Sequence, residues 1–577
     1  VIFLRQPIKA VFLAAGSAAF MASAAYGQTP ADDFARRQTE KQEQQRLRIL
    51  QKNTPNEAAP AASAAIIPGN NICFFVKRIN VAGAHKISAP QIARIVRPYE
   101  GKCLGLTDIH AAVKALTKAY LDRGYVTARI YIPAQNIKGS QILNLSVIEG
   151  QLADIYYNGK HLPFYDSRLR SAFPSLKGGA LNMRDIEQGL DQMNRLASAN
   201  AKSELLPGGE AGETIVNITN KPDKPWQVNL SHDNMGQTPT GYARYNAGLT
   251  LDNWLRANDL WNFSYQRSDK DYWGGGSRAH EGHSNSYSGN VSLPYGYWTF
   301  NLSGYYYDYR SIVRGNFGPL SSSGSSSELR GGLSRLLHRD GKSLTNFNIS
   351  LAHKATSNFL MGSKIETGSR HYTVGTIGLS HSRRMLAGTW SFDVNYLQGL
   401  SWFGAVNKHD ISAGGADPRF GKWTAAVSAV TPFKLGGRNF ILNNLLTGQY
   451  SPDSLFGAEQ LSLGDYYNVR GVRDSLLFGN NGFFFRNDLI WRSAPWQNNA
   501  RLGGFLGEFR PYAGLDFGRV MAKKRDGLTN GHLASWTAGA KLAGGKLSLD
   551  AGYSRIFSST AGKVNSGLAF VNIAVSF

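Results

Sequence analysis

Apolar and polar side chains alternate along the second half of this chain, from Trp226 to Phe577, in runs of about ten residues separated by alternately short and long loops. In the last run Val571, Ile573, Val575 and Phe577 fall on one face, and Asn572, Ala574 and Ser576 on the other. The run before it sets Leu547, Leu549, Ala551 and Tyr553 against Ser548, Asp550 and Gly552. A period of two is that of a β-strand whose two faces meet different surroundings. A large soluble sandwich or solenoid would alternate in the same way. The terminal Phe577, a C-terminal barrel signal, and the Tyr and Trp residues near strand ends favour a membrane barrel. At roughly 22 residues per strand with its loop, the stretch allows about 16 antiparallel strands. A barrel of that size keeps a water-filled lumen unless something occupies it.

Ahead of the barrel the pattern predicts two α+β units. Residues 72–149 read strand, helix, helix, strand, strand. Phe75, Lys77, Ile79 and Val81 alternate in the first strand, Ser88 is placed to cap a helix ending near Val96, and Thr107 a longer one ending at Arg123. That helix gathers Ile109, Val113, Leu116, Tyr120 and Leu121 on one face. Gly124 stops it; Val126, Ala128, Ile130 and Ile132 then alternate, and a hairpin at Lys138-Gly139 returns through Leu143, Leu145 and Val147. Residues 150–224 repeat this order more loosely, with a strand at Ile155 to Tyr157, helices at 165–173 and 182–196, and strands around Glu204 and Ile215. The same element order at a spacing of about 75 residues predicts a duplicated module.

Residues 32–52, DDFARRQTEKQEQQRLRILQK, carry acid at one end and base at the other, as a helix macrodipole favours. The apolar residues Phe34, Leu47, Ile49 and Leu50 form no full stripe, so this helix suits a polar cavity or water. Residues 53–71 mix Pro, Ala, Gly and Asn without periodicity and read as a linker. At 1–27, Arg5 and Lys9 precede a small-apolar run at 10–25 and the small residues ending at Gly27, the layout of a signal peptide cleaved there. The run is too short and weakly apolar for a membrane anchor.

The 577 residues hold 63 Lys plus Arg against 40 Asp plus Glu, a net charge of +23. Such a surplus suits nucleic acid, anionic lipid or an acidic substrate. No basic-aromatic motif or zinc spacing accompanies it, so it is read as lining a polar lumen or facing lipopolysaccharide, with no nucleic-acid partner. The two cysteines, Cys73 and Cys103, tend to close into a disulfide in an exported chain; two free thiols are the alternative.

Several stretches are specific enough to name a resemblance. GKCLGL at 101–106, AYLDRGYVTARIYIPAQ at 119–135 and LNLSVIEG at 143–150, with Cys73, resemble the first POTRA domain of the TpsB transporters of two-partner secretion, the hemolysin and hemagglutinin secretion class. WQVNLSHDNMG at 226–236, LDNWLRANDLW at 251–261 and YSGNVSLPYGYWTF at 287–300 resemble the start of that family's barrel. The sharpest motif is Val469-Arg470-Gly471 after SLGDYYN; the resemblance implies a loop, around 460–482, folded back into the lumen, with Asp516 of GLDFG at 514–518 as partner of Arg470. Alternation supports this from another side, since Ala513, Leu515 and Phe517 would face lipid while Gly514, Asp516 and Gly518 face inward and leave room for an arriving loop. Arg470 in contact with water alone is the alternative. The family often carries an aromatic where Val472 stands, which puts that packing contact in doubt.

The resemblance implies a membrane β-barrel at 225–577 preceded by an N-terminal plug helix at 28–52 and by POTRA domains at 72–149 and 150–224. It implies a transporter that recognises an unfolded exoprotein, of hemolysin, adhesin or contact-dependent toxin type, through that partner's N-terminal secretion domain. Barrel assembly machinery and periplasmic chaperones are expected partners in biogenesis, and the outer membrane the location. An assembly factor that inserts other barrels is the rival reading, although such factors typically carry more POTRA repeats. An outer-membrane enzyme is disfavoured by the lack of GxSxG, HExxH or a Cys-His grouping, and the lack of a phosphate-cradling loop offers no nucleotide engine. No cofactor is expected. The SSSGSSS tract at 321–327 reads as a flexible surface loop.

Overall fold

Sixteen antiparallel strands, from Trp226–Asp233 to Leu568–Ser576, pair in chain order and close into a barrel. The structure is a computed structural model that describes residues 29–55, 73–162, 166–174, 178–210, 212–269, 282–315, 318–521, 530–562, 564 and 567–577. The expected leader at 1–27 and nearly all of the linker at 53–71 lie outside the described residues. Closure comes from the first strand, which pairs with Ala243–Asp252 on one side and with the last strand on the other, from Asn229↔Ser576 to Asp233↔Asn572. A closed cylinder leaves no unpaired strand edge. Along 512–521 of the strand Glu508–Met521 burial alternates strictly, with Tyr512, Gly514, Asp516, Gly518 and Val520 inside and Ala513, Leu515 and Phe517 outside.

The serine tract is a correction. Residues 321–327 are not a loop but part of Gly318–Arg339, paired to Trp298–Gly315 with Tyr307 opposite Ser326 and Tyr309 opposite Gly324. Small inward side chains there make room for Tyr305, Tyr307 and Tyr309, all buried; a Cβ on Gly324 would lie 2.7 Å from the Tyr309 ring. A run of serines hides its own alternation, because both faces read as polar.

The two α+β units share one topology. In the first, Arg78–Ala82 lies parallel to Ile142–Ile148, which pairs antiparallel with Arg129–Tyr131. In the second, Gln151–Tyr157 lies parallel to Glu213–Thr219, which pairs antiparallel with Lys202–Pro207. Two helices cover each sheet: Ala89–Val96 and Leu106–Asp122 in the first, Ser167–Ala172 and Met183–Asn194 in the second. Val76, Ile79, Leu104, Leu116, Leu143 and Leu145 form the first core, and Leu152, Ile186, Met193, Val216 and Ile218 the second.

Local details of the first unit differ from the pattern. Its opening strand breaks at Lys77 into Cys73–Val76, paired with Lys102–Gly105, and Arg78–Ala82. The change of partner shifts the inward phase, so Val76 and Ile79 are buried while Phe75 is exposed. The long helix is capped at Gly105 rather than Thr107, and buries Ala112 and Ala119 with Ile109, Leu116 and Tyr120 while Leu121 is exposed. The expected hairpin at Lys138-Gly139 is a single helical turn, Ile137–Ser140, closed by Gln141 at φ 54°. Cys73 and Cys103 are disulfide-bonded, tying that first strand to its new partner.

The second unit is seated on one arc of the barrel rim. Asn258 Nδ2 donates to Arg168 O and Ser171 Oγ, both at 2.8 Å, Gly296 N to Ser171 O at 2.7 Å, and Gln192 Nε2 to Gly296 O at 2.9 Å. Arg339 reaches Glu187 and Asp191 on the second unit's longer helix. Burial holds the Asp191 carboxyl above its ordinary range against the opposing pull of Arg339.

Candidate functional site

The lumen holds a helix, Pro30–Lys52, and the loop at 451–480. Local chemistry explains the helix. The Thr29 side chain accepts from Asp32 N at 3.2 Å, Pro30 opens the first turn, Asp32 and Asp33 face its positive end and Lys52 stands at its last turn. Three neighbourhoods hold it. Near its start Asp32 Oδ1 accepts from Arg370 Nη2 at 2.7 Å, and Phe34 stacks on Tyr307 at 4.0 Å and edge-on to Tyr305 at 5.5 Å. Midway, Arg37 bridges Asp33 at 2.9 Å and Asp465 at 3.6 Å, and Gln44 donates to Tyr467 O at 2.9 Å. Towards its end Arg46 pairs with Asp393, Gln51 donates to Ser428 at 2.9 Å, and Arg384 Nε donates to Pro55 O at 2.8 Å.

Apart from those of Ala31, Phe34, Ala35, Leu47 and Leu50, the helix's contacts are polar. Water can replace each of them, so withdrawal of the helix exposes little apolar surface. On one side the helix does not touch the wall. A cavity of about 720 Å³ separates Gln38, Gln42 and Gln45 from Asn290, Asn346 and the second unit's Gln188.

The loop tip is built for one arginine. Asn468 Oδ1 accepts from Gly464 N at 2.9 Å and Val469 N at 2.7 Å, and Asp465 Oδ1 from Tyr467 N at 2.7 Å, which fixes the tight turn ahead of the motif. Arg470 is 0% exposed. Its Nε donates to Asp516 Oδ2 at 2.6 Å, its Nη2 to Asp516 Oδ1 at 2.7 Å, and its backbone N to Asp516 Oδ2 at 3.1 Å. This is a two-pronged charge-assisted pair. Nη2 also donates to Asp488 Oδ1 at 2.7 Å, a contact the sequence did not announce.

The glycines around the pair are required by close approach. A Cβ on Gly514 would lie 2.5 Å from Arg470 Nη2, and one on Gly518 2.5 Å from Leu463 Cδ2 and 2.9 Å from Val469 Cγ2. Gly471 has φ +128° and lies against the backbone of Ile556. Val469 is buried among Leu461, Leu463, Phe484, Val520 and Ile556, and Val472 packs on the same cluster in place of an aromatic.

A second attachment of the loop escaped sequence reasoning. Glu459, 3% exposed, accepts from Lys354 Nζ at 2.6 Å, Lys422 Nζ at 2.7 Å and Tyr372 OH at 3.0 Å. Lys354 lies 3.6 Å from Glu328, which pairs with Arg330 at 2.8 Å. Inward charges on strands were a readable signal; which of them meet was not, because the partners come from distant strands. Ala458 beside this cluster packs on Ala31 and Ala35 of the helix, and Arg36 donates to Gly457 O at 3.3 Å, so helix and loop brace each other. The Cys73–Cys103 disulfide lies in the first unit, away from the lumen, and Phe577 sits at the seam, exchanging backbone hydrogen bonds with Val228. Among the described residues no group of His, Cys, Asp or Glu has the arrangement of a metal site.

Comparison with known proteins agrees in both halves. Residues 212–542 match the profile described as haemolysin secretion/activation protein ShlB/FhaC/HecB, 74–150 the ShlB-type POTRA domain, and 151–207 a further POTRA domain. The outer membrane transporter CdiB of Escherichia coli is 32% identical over 526 residues, 90% of this chain and 86% of its own length. The hemolysin transporter protein ShlB of Serratia marcescens is 29% identical, over 81% of this chain and 79% of its own. The solved structure of CdiB from Escherichia coli superposes with a TM-score of 0.83 at 30% identity, covering 95% of this chain and 99% of that one.

Proposed function

We infer the function from a family relation: this chain belongs to the haemolysin secretion/activation proteins ShlB/FhaC/HecB, and it acts as the outer-membrane transporter of a two-partner secretion system. In this reading the barrel spans the outer membrane beneath lipopolysaccharide, and the two POTRA domains stand in the periplasm. They capture the N-terminal secretion domain of an unfolded exoprotein, of hemolysin, adhesin or contact-dependent toxin type, through open sheet edges and helix–strand grooves. The exoprotein then threads the lumen. Folding outside draws it through without a nucleotide, and no catalytic step is required of the chain. Barrel assembly machinery and periplasmic chaperones deliver the transporter itself to the membrane.

The observation that carries this reading is a lumen closed by a removable object. The helix at 30–52 is held by mostly polar contacts spread along its length, with a buried ion pair, Asp32–Arg370, near its start, while the loop beside it is pinned by Arg470, Asp516 and Asp488 in a buried network. A diffusion pore needs neither device nor paired periplasmic modules. The test is secretion of the exoprotein encoded beside this chain, by intact protein, by Arg470→Ala and by a deletion of 72–149, with insertion checked by heat-modifiable gel mobility. Export by the intact chain, with both variants inserted and inactive, is the expected result. Unchanged export without the chain, together with a general fall in outer-membrane barrels, would replace secretion with barrel assembly.

A further inference from the structure

At the rim that carries the POTRA units, neighbouring strands are joined by tight turns such as Gly436-Gly437, both at positive φ (56° and 73°). The connection at 253–259 is longer, and one excursion is longer still. Between Asn481–Arg492 and Glu508–Met521 the chain makes a long excursion, 493–507, containing the helix Ala500–Leu506. The excursion is internally fastened: Asn499 Oδ1 accepts from Leu502 N at 3.1 Å, Trp496 Nε1 donates to Gly507 O, and Lys546 N of the adjoining turn donates to Gly504 O at 3.2 Å. Those bonds fix the backbone along the rim and leave Leu502 46% and Phe505 45% exposed.

The neighbouring strand ends are aromatic and basic. Phe433 stacks on Phe440 at 5.6 Å, Phe440 stands opposite Trp491, and the Arg438 guanidinium lies over the Trp491 ring at 5.0 Å. Phe440 and Trp491 share the face of the exposed Leu446, Phe485 and Leu489, so this group is continuous with the lipid-facing wall. Beside it opens a cavity of about 450 Å³, lined by Phe433, Lys434, Phe440, Arg492, Gln497 and Glu508. Glu508 is committed to Arg492 and to Arg510, the latter at 2.8 Å. Lys434 lines this cavity, Arg438 stands at the same turn and Arg501 on the excursion's helix, and among the described residues neither 430–441 nor 493–507 contains a carboxylate.

We propose that the excursion at 493–507, with Lys434, Arg438 and Arg501, is a binding site for anionic phospholipid in the inner leaflet of the outer membrane. The proposal rests on the reading that this rim is periplasmic, which makes the facing leaflet phospholipid. Leu502 and Phe505 enter the boundary between headgroups and acyl chains, as interfacial helices do, while Phe433, Phe440 and Trp491 meet the chains. The headgroup phosphate takes charge-assisted hydrogen bonds from Lys434 and the arginines. The second POTRA unit holds a different arc of the rim, at Asn258, Gly296 and Arg339, so the lipid site steadies another arc.

The test uses the purified full-length chain, without exoprotein, titrated with phosphatidylglycerol or phosphatidylethanolamine and read by the number of phospholipids retained in native mass spectrometry. Intact protein is expected to retain phosphatidylglycerol in preference. In Lys434→Ala/Arg438→Ala/Arg501→Ala that affinity falls roughly fivefold for each cation removed. Leu502→Ser/Phe505→Ser is expected to lower retention of both lipids, with heat-modifiable mobility reporting a folded barrel in each variant. Equal retention of the two lipids by the intact chain, or undiminished phosphatidylglycerol retention in the triple variant, overturns the site. Either result leaves the secretion reading standing, and a failed secretion test leaves this one measurable.

Discussion

Replacing Arg470 with Ala strands the Asp516 carboxylate and leaves Asp488 only the more distant Arg486, at 3.9 Å, around a space sealed from solvent. Removing one partner of a buried, hydrogen-bonded ion pair costs about 3–5 kcal/mol. At about 1.4 kcal/mol per tenfold change, the released population of the loop tip rises by roughly two to three and a half decades. Val469→Cys reports it, because Val469 is fully buried beside the arginine and the native cysteines are bonded to each other, leaving one reactive thiol. The assay is the rate of maleimide labelling in Val469→Cys alone and with Arg470→Ala, Asp516→Ala or both. Members of one network couple by about 0.5–3 kcal/mol, so the double replacement is expected to fall short of the sum of the singles. Unchanged labelling in Arg470→Ala, or additive effects of the two, would refute the claim that this pair holds the tip.

Other perturbations have equally direct readouts. Glu459→Gln leaves Lys354 and Lys422 without their shared carboxylate, and is expected to cost about 3–5 kcal/mol, read as a lower heat-modification temperature that Lys354→Met partly restores. Phe34→Ala removes the stack on Tyr307; at about 0.5–1.5 kcal/mol for such a pair, openings in planar bilayers should become roughly two- to tenfold more frequent. Gly514→Ala drives a methyl into Arg470 Nη2 and is expected to raise tip labelling towards the Arg470→Ala rate, whereas Gly331→Ala, which meets nothing within 4 Å, should not. Cys73→Ser/Cys103→Ser opens a loop of sequence separation 30 and is expected to destabilise the first POTRA unit by about 3–4 kcal/mol, seen as earlier proteolysis of that unit with the barrel intact.

The sequence was most legible where a physical constraint repeats along the chain. Dyad alternation in 547–577 revealed the barrel, because each strand separates lumen from lipid at every second residue. Glycines on both sides of Asp516 foretold a close approach, and the approach is there. Legibility failed where the constraint is set by a distant partner. Phe75 looks inward by local alternation, but the strand changes neighbours at Lys77 and the phase moves with it. The inwardness of Tyr305, Tyr307 and Tyr309 depends on serines across the pairing and on a helix some 270 residues upstream. Glu459 carries no local mark at all, since its environment is assembled from side chains 105 and 37 residues away.

The seam between the first and last strands has its register from Asn229↔Ser576 to Asp233↔Asn572, with backbone bonds of Val228 to Phe577 and of Asn234 to Val571 at its ends, while the longer hairpin at 298–339 pairs from Trp298↔Arg335 to Gly315↔Gly318. Every other junction in the wall joins consecutive strands, so its loop-closure entropy is small; the seam joins opposite ends of the wall. Hairpins therefore accumulate early and the seam zips last. Until then the nascent wall is a curved ribbon with two sticky margins, able to pair with any strand it meets. The kinetic hazard of this molecule is concentrated in that final short stitch, which is where amide exchange in the finished barrel should be fastest.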